Sequence, residues 1–572
     1  MPQPISKFEF RLLFAKCAPP QGWSEKLAVA NSGGPDSTCL LFLLKRLVED
    51  KAGTGLPTSV VSLTIDHGLQ ESSSAMADHC SRTSASLGVE HVTRKISWSQ
   101  PPFPSKPIRS FEKTARDARY HLLFDAMTEV ECKTIAFGHH ADDQIETALL
   151  RMAKGTTEFG AAGMRPCRRW GMGFGDREGS LGWAGIKGMR RWIVRPLLTS
   201  RILATCEEND LDYVTDQTNF QPETTIRNAI RHRLSQTSEQ GDFPVRPKEA
   251  EATERSNERT RPTGSCPPTE GSAELGSQPP ARFSIGISLG SARLYQAVQR
   301  LSIRREQVDD IVTRSLKRCR HASPPSTVLF TTSLLHSNTD EAVQRAMVLR
   351  ILRHVSFHPW GSVEAEAHRR TESLDRIVGK LSSLITSNEV KPFAAGGGVL
   401  WTPVSLRKDG RFKLLVSKGG PTALGLDKDL HTAWIASRQP PFSKRIGAST
   451  QRDPLCLDVS HLVSEDSAAI ASQADRELLW DCRFLLRISI GNLAGVINRI
   501  QAVRGTQDGE LLVEPETRWY LPCLVWRWSG GSTVLARTSW SSLDKHGQKS
   551  SAEVVDPANV VSIQEARVLD AL

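Results

Sequence analysis

Between an apolar run and an amphipathic stretch, residues 28–40 read AVANSGGPDSTCL; within it Ser32, Gly33, Gly34, Pro35, Asp36 and Ser37 combine two hydroxyls, two glycines and a carboxylate. Paired glycines let a chain turn tightly at a strand end and bring backbone N–H groups close to a ligand. The start of a following helix adds partial positive charge. Ser32 and Ser37 contribute hydroxyl donors, and Asp36 can hold Mg²⁺ or water beside the anion. The pattern predicts a phosphate cradle. It is not G-x-x-x-x-G-K-[ST], and no lysine is placed to reach a terminal phosphate, so ordinary kinase or ATPase chemistry is not indicated.

A second chemical cluster is GHHADDQIE, residues 138–146. A helix beginning near Asp142 puts Asp142 and Glu146 four residues apart and Asp143 and Glu146 three apart, so their carboxylates share a face able to receive an ammonium. The same residues also read as an acidic helix start favoured by the macrodipole, or as a His-His-x-Asp-Asp metal cluster. In EKTARDARY (112–120), Arg116 and Arg119 lie three apart, with Glu112 one turn before Arg116. The planar guanidinium of Arg119 suits developing phosphate charge, whereas Asp117 and Tyr120 read as structural. Asp66 and His67 follow an apolar run and either contact nucleotide or cap a turn. Arg227, Asn228, Arg231 and Arg233 form a basic helical stripe, fit for RNA or other phosphates or for a solvated face. Arg304, Arg305, Arg314, Lys317, Arg318 and Arg320 make a second basic patch.

Elements must position these groups. Leu27–Ala30, Val60–Ile65, Val89–Ile96, Thr134–Phe137 and Trp192–Val194 read as strands, alternating with helical patterns at Ser37–Glu49, Ala75–Leu87, Phe111–Met127 and Asp142–Met152. Such alternation predicts an α/β fold, a doubly wound and mostly parallel sheet with ligands at the carboxyl ends of its strands. The opening ISKFEFRLLFAK (5–16) predicts a first helix with Phe10, Leu13 and Phe14 facing inward, with an Arg- and Ser-poor organellar transit peptide as the alternative. Arg168 to Trp192, rich in Gly, Trp and Arg without periodicity, predicts a mobile loop. Residues 1–238 are thus expected as the catalytic domain and 239–282, rich in Pro, Ser, Glu and Thr, as a disordered linker. A helical segment whose basic patch suits RNA contact is expected over 283–389 and a β-containing region over 390–572.

SGGPDS after a first strand resembles the loop of the PP-loop (N-type) ATP pyrophosphatases, which cleave ATP between its α- and β-phosphates and adenylate an oxygen. Within that superfamily TIDHGLQ (64–70), EKTARDARY, GHHADDQIETALLR (138–151), RPLL (195–198), TDQTN (215–219) and IRNAIRHRL (226–234) occur in the order found in tRNA(Ile)-lysidine synthetases. The resemblance covers Leu27 to Leu234 and, weakly, Glu341 to Leu352. It implies a carbon–nitrogen ligase that adenylates C2 of the wobble cytidine of an isoleucine tRNA with a CAU anticodon and joins L-lysine there, releasing AMP and pyrophosphate. ATP would bind at Ser32, Gly33, Gly34, Pro35, Asp36 and Ser37, with Mg²⁺ on Asp36. Asp36, Arg119 and His139 would be catalytic, and Asp143 and Glu146 would bind lysine. TDQTN departs from the family's Asp-Pro-Ser-Asn type of turn. Thiolation by another PP-loop family and a catalytically inactive tRNA-binding protein are the alternatives.

Composition agrees with a polyanionic partner: the formal net charge is +10 and the pI about 9.1. The eleven cysteines stand singly with no C-x-x-C, which argues against a zinc ribbon, a redox dithiol or a cysteine-paired thiolation site and for a reducing compartment. No run approaches the roughly 18 apolar residues of a bilayer span, so no membrane partner is expected. The chain reads as soluble and intracellular, cytoplasmic in a bacterium and mitochondrial in a eukaryote, and a homodimer is one expected state.

Overall fold

The computed structural model describes residues 3–50, 55–106, 111–198, 201–215, 226–236, 289–331, 333–336, 340–366, 370–382, 391–415, 430–441, 455–463, 475–505, 508–540, 553–555 and 559–571. The segment expected as a linker, 239–282, lies outside them, as does most of TDQTN.

The N-terminal elements are α1 (Lys7–Ala15), β1 (Lys26–Ala30), α2 (Pro35–Glu49), β2 (Ser59–Asp66), α3 (Ser73–Ser86), β3 (Glu90–Lys95), α4 (Phe111–Glu129), β4 (Thr134–Phe137) and α5 (Ala141–Met152). They continue with α6 (Glu158–Ala161), β5 (Cys167–Arg169), α7 (Gly185–Met189), β6 (Trp192–Val194), α8 (Ile202–Glu208) and α9 (Ile226–Gln236). The strands form one sheet in the order β3-β2-β1-β4-β6-β5, parallel throughout except where β5 runs antiparallel to β6. The expected doubly wound α/β fold is therefore present. Side chains alternate across the strands and feed two cores. Val29, Ala136, Trp192 and Val194 pack with Leu40, Leu44, Phe10 and Phe14 on one face. On the other, Ala28, Val61, Leu63 and Ile135 pack with Leu123 and Met127. Burial on both faces explains why these strands read as continuous apolar runs rather than alternating ones.

The segment 168–192, expected as a mobile loop, is instead an ordered part of the domain. It contributes β5, buries Trp170 and Met172, and bonds Met172 N–H to the Trp360 carbonyl at 2.7 Å. Arg169 reaches the Asp570 carboxylate at 2.7 Å. What orders the segment is contact with distant parts of the chain, which leaves no local period to read.

Beyond the sheet come α10 (Leu289–Cys319), β7 (Arg320–His321), β8 (Val328–Thr331), α11 (Ser333–His336), α12 (Glu341–Val355), α13 (Val363–Glu366) and α14 (Thr371–Ser382). Then follow β9 (Phe393–Ala394), β10 (Val399–Arg407), β11 (Phe412–Leu414) and β12 (Leu430–Arg438). β8 pairs antiparallel with β12 in a sheet ordered β11-β10-β12-β8-β7. α12 and α14 cover that sheet, burying Met347, Ile351 and Leu374 against Phe330, Trp401 and Trp434. One core thus crosses the boundary expected at residue 390. The remaining elements are β13 (Leu457–Asp458), β14 (Arg476–Trp480), β15 (Phe484–Ile488), α15 (Ile490–Arg504), β16 (Glu510–Glu516), β17 (Leu521–Trp528), β18 (Gly531–Ser539), β19 (Glu553–Val555) and β20 (Val561–Glu565). They build sheets β13-β16-β17-β18-β19 and β14-β15-β20, the β-containing region the sequence predicts.

Candidate active site

The loop between β1 and α2 lies at the carboxyl edge of the parallel sheet. Gly33 has φ +77°, and a Cβ there would meet the Cys80 sulfur at 3.0 Å, so the turn requires glycine. Gly34 caps α2 and Pro35 occupies its first turn, where a missing N–H costs nothing. Asn31, which the sequence reading passed over, braces the loop from beneath. It is 4 % exposed, and its Oδ1 accepts from the Gly33 N–H (3.0 Å) and the Ser37 hydroxyl (3.1 Å), while its Nδ2 donates to Ser62 (3.2 Å). An Asn directly after an apolar run and two residues before a glycine is the available signal, because it can form a turn on its own side chain. The Ser32 N–H donates to the Ser37 hydroxyl at 3.2 Å, and the two hydroxyls lie 3.3 Å apart. All six cradle residues therefore share one turn around the N-terminus of α2.

The end of β4 packs directly on that turn. A Cβ at Gly138 would lie 2.7 Å from the Asp36 carbonyl oxygen, a contact that only glycine permits. His139 and His140 are thereby delivered beside α2. His140 caps α5: its Nδ1 accepts from the Asp142 N–H at 3.1 Å, and its own N–H donates to Asp143 Oδ2 at 3.1 Å. Its Nε2 stands 3.7 Å from Asp36 Oδ2. Burial alone would lower the His140 pKa, but Asp143, Asp36 and Asp142 outweigh it and raise it. Asp36 is itself raised, by desolvation first, with Asp143 adding to the effect and His140 opposing it.

Asp143 and Glu146 share the α5 face the spacing predicts, and both are engaged by one residue of α9. Arg231 Nη2 lies 3.1 Å from Asp143 Oδ1 and 3.3 Å from Glu146 Oε2, and its Nε bonds Glu146 Oε1. Glu146 is completely buried. Desolvation raises its pKa against the pull of Arg231. Arg231, expected at RNA phosphates, is thus placed in this structure on the Asp143 and Glu146 carboxylates, and Arg227 lies 3.9 Å from Glu112. The Asn228 side chain lies outside the described residues.

Arg119 on α4 keeps solvent-accessible surface, and among the described residues no hydrogen bond or ion pair holds it. Tyr120, beside it, stacks on Phe137 (centroids 5.5 Å apart), which stacks in turn on His139 (5.6 Å). Trp170, from the 168–192 segment, lies 5.6 Å from Tyr120. Desolvation would raise the Tyr120 phenol, but Arg116, Arg195, Arg168 and Arg119 together lower it. One side of the site is therefore an aromatic wall with a cationic rim. Asp66 caps a turn: its two oxygens accept from the Gly68 N–H (2.9 Å) and the Ser74 hydroxyl (3.0 Å). In the second basic patch, Arg305 is buried with its guanidinium on the Gly163 carbonyl at 3.2 Å, and Arg304 pairs with Asp340.

Residues 7–238 match the PP-loop domain family. The chain is 38% identical over 181 residues to a tRNA(Ile)-lysidine synthase of Mesorhizobium japonicum, covering 30% of this chain and 33% of that protein. It is 32% identical over 244 residues to one of a Bradyrhizobium species (42% and 59%) and 32% identical over 209 residues to that of Bacillus subtilis (36% and 39%). The match thus spans between about a third and three fifths of these relatives' lengths. Among solved structures, the U34-tRNA thiolase NcsA of Methanococcus maripaludis with its [4Fe-4S] cluster aligns at TM-score 0.30 and 14% identity over 41% of this chain and 73% of that one, too slight a likeness to carry weight. The parallel sheet and the turn at residues 32–37 define residues 7–238 as a PP-loop domain. Within that class, the aligned part of the chain is similar to the tRNA(Ile)-lysidine synthases of these bacteria. These three relatives are bacterial and lend no support to a mitochondrial placement. Among the described residues no helix is long and apolar enough to cross a membrane.

Proposed function

We propose that the chain is an ATP-dependent tRNA(Ile)-lysidine synthase acting on the wobble cytidine of an isoleucine tRNA with a CAU anticodon. The observation that carries this reading is the Asp143–Glu146 pair: two carboxylates, one of them fully buried, neutralised by the Arg231 guanidinium and set one turn from the histidines that pack on the 32–37 turn. An ammonium group of lysine fits the seat the Arg231 guanidinium holds. Arg231 comes from a separate helix and must withdraw for lysine to enter.

ATP would lie with its β- and γ-phosphates against the N–H groups and hydroxyls of residues 32–37. Mg²⁺, which keeps waters and takes one or two carboxylates together with phosphates, suits Asp36 and would neutralise triphosphate charge there. The cytidine C2 oxygen attacks the α-phosphorus, and pyrophosphate leaves into the cradle. Arg119, unpaired among the described residues and water-accessible, would meet charge building on the α-phosphate oxygens. The lysine amine then attacks C2 and AMP departs with the former C2 oxygen, so a poor leaving group has become a good one. The test supplies the purified chain with unmodified isoleucine tRNA, ATP and L-lysine and analyses the nucleosides by mass spectrometry. Lysidine in place of cytidine, with one AMP and one pyrophosphate per modification, is the expected result; unaltered cytidine with active, folded protein would overturn the reading.

A further inference from the structure

Arg195 follows β6 directly, and the pairing of Val194 with Ala136 on β4 sets it beside His139 at the next strand's end. It is 4 % exposed, and its donors are already directed. The Nε–H donates to His139 Nδ1 at 3.3 Å and Nη1 donates to the Arg165 carbonyl at 3.0 Å. A guanidinium has no acceptor to offer, so the ring nitrogen facing it must be the unprotonated one. A neutral imidazole that accepts at Nδ1 carries its proton on Nε2. The Phe137 ring, stacked 20° from parallel to the imidazole, fixes the plane in which that N–H lies.

From this geometry we infer that Arg195 is a positioning residue that locks His139 as a neutral Nε2–H donor, so that His139 stabilises charge on the reacting phosphate and does not take a proton from substrate. The inference deepens the adenylation reading and rests on it. The groups facing the ring agree. Burial and Arg195, with Arg116 and Arg119 from α4, hold the His139 pKa down to about 3, with Asp143 of α5 alone opposing. The ring is therefore neutral across the working range of pH. A base at this position would need its lone pair toward the substrate, and Arg195 occupies that lone pair.

Two-bond proton–nitrogen spectra of the ¹⁵N-histidine-labelled full chain, with the His139 signals identified by their loss in His139→Gln, read the tautomer directly. Wild type should show the Nε2–H form, with no titration between pH 5 and 8. Arg195→Met should give mixed tautomers and a ring titrating toward the ordinary histidine value of about 6.5. Its first-turnover pyrophosphate release should fall about 10- to 100-fold, the usual loss when the orienting partner of a functional histidine is removed, and acquire a pH dependence over the same range. Arg195→Lys, which keeps the charge, should recover part of the rate. An Nδ1–H tautomer or a ring titrating near 6.5 in wild type would overturn the inference without any variant, as would wild-type pyrophosphate release in folded Arg195→Met. Failure of the wild-type chain to release pyrophosphate with tRNA and ATP would instead overturn the adenylation reading, and the tautomer would still decide the role of Arg195.

Discussion

Two regions set arginine against buried carboxylate, and they do so differently. At the end of β12, Arg438 holds Asp481 through Nε (2.7 Å) and Nη2 (3.1 Å), and Arg483 holds the same carboxylate at 2.7 Å. Arg483 also donates to the Tyr520 carbonyl at 2.6 Å, and Arg567 to the carbonyls of Cys482 (2.7 Å) and Arg353 (2.8 Å). Arg438 lies 4.2 Å over the Phe357 ring. Here the guanidinium groups are tied to backbone as well as to charge, joining the β14–β15 hairpin to the sheet that carries β12. In the PP-loop domain, among the described residues, Arg231 bonds two carboxylates and no backbone carbonyl, and Arg119 is unpaired. The contrast separates charge used as mortar from charge that, on the proposed function, is exchanged for a ligand.

Asp481→Ala breaks the mortar and should have the largest effect. Removing one partner of a buried charge cluster typically costs about 3–5 kcal/mol because the remaining charges are left uncompensated. Hydrogen exchange should show lost protection in β12, β14 and β15, while the β1–β4 strands remain protected. Equal loss in both regions would show that they are not separable.

Asp36→Ala attacks the other region. Losing a charge-stabilising group in a preorganised site costs about 10²–10³ in rate. Pyrophosphate release should fall by that factor while tRNA affinity, read by filter binding, stays within about twofold.

A smaller effect in the β12 region acts through pH. His354 on α12 is 3 % exposed, and burial together with Arg320, Arg567 and Arg483 lowers its pKa to about 3. Unfolding restores an ordinary value near 6.5, so the folded state binds the proton less well than the unfolded one. The stability this ring contributes is complete above about pH 6.5 and is lost progressively as pH falls toward 3. One pH unit below 6.5 the loss is about 1.4 kcal/mol. Chemical denaturation at pH 7.5 and 5.5 should register it, and His354→Leu should shrink the difference between the two.

Legibility in the sequence followed how local the cause was. The strand, glycine turn and helix of residues 26–49 were readable because each signal lies within a few residues of the next. So was the shared face of Asp143 and Glu146, which follows from helical spacing alone. The pairing of Arg231 with that face was not, because it joins residues 85 apart and a basic stripe looks the same whether it meets RNA or carboxylates. The 168–192 segment misled for a related reason: Trp170 and Met172 are buried by distant partners, and no repeat marks them. β8 escaped notice because four residues inside a helical stretch become a strand only through β12, about a hundred residues later.

The central claim, that Asp143 and Glu146 form an exchangeable ammonium seat apart from the phosphate site, is tested most directly in Glu146→Gln. The substitution removes charge and nearly preserves shape. A hydrogen bond to a charged group contributes roughly 1.5–3 kcal/mol, so the lysine concentration needed for half-maximal AMP release should rise about ten- to a hundredfold. The burst of pyrophosphate in the first turnover, which precedes lysine attack, should keep its wild-type amplitude and rate. An unchanged lysine dependence, or a pyrophosphate burst lost together with lysine affinity, would contradict the account.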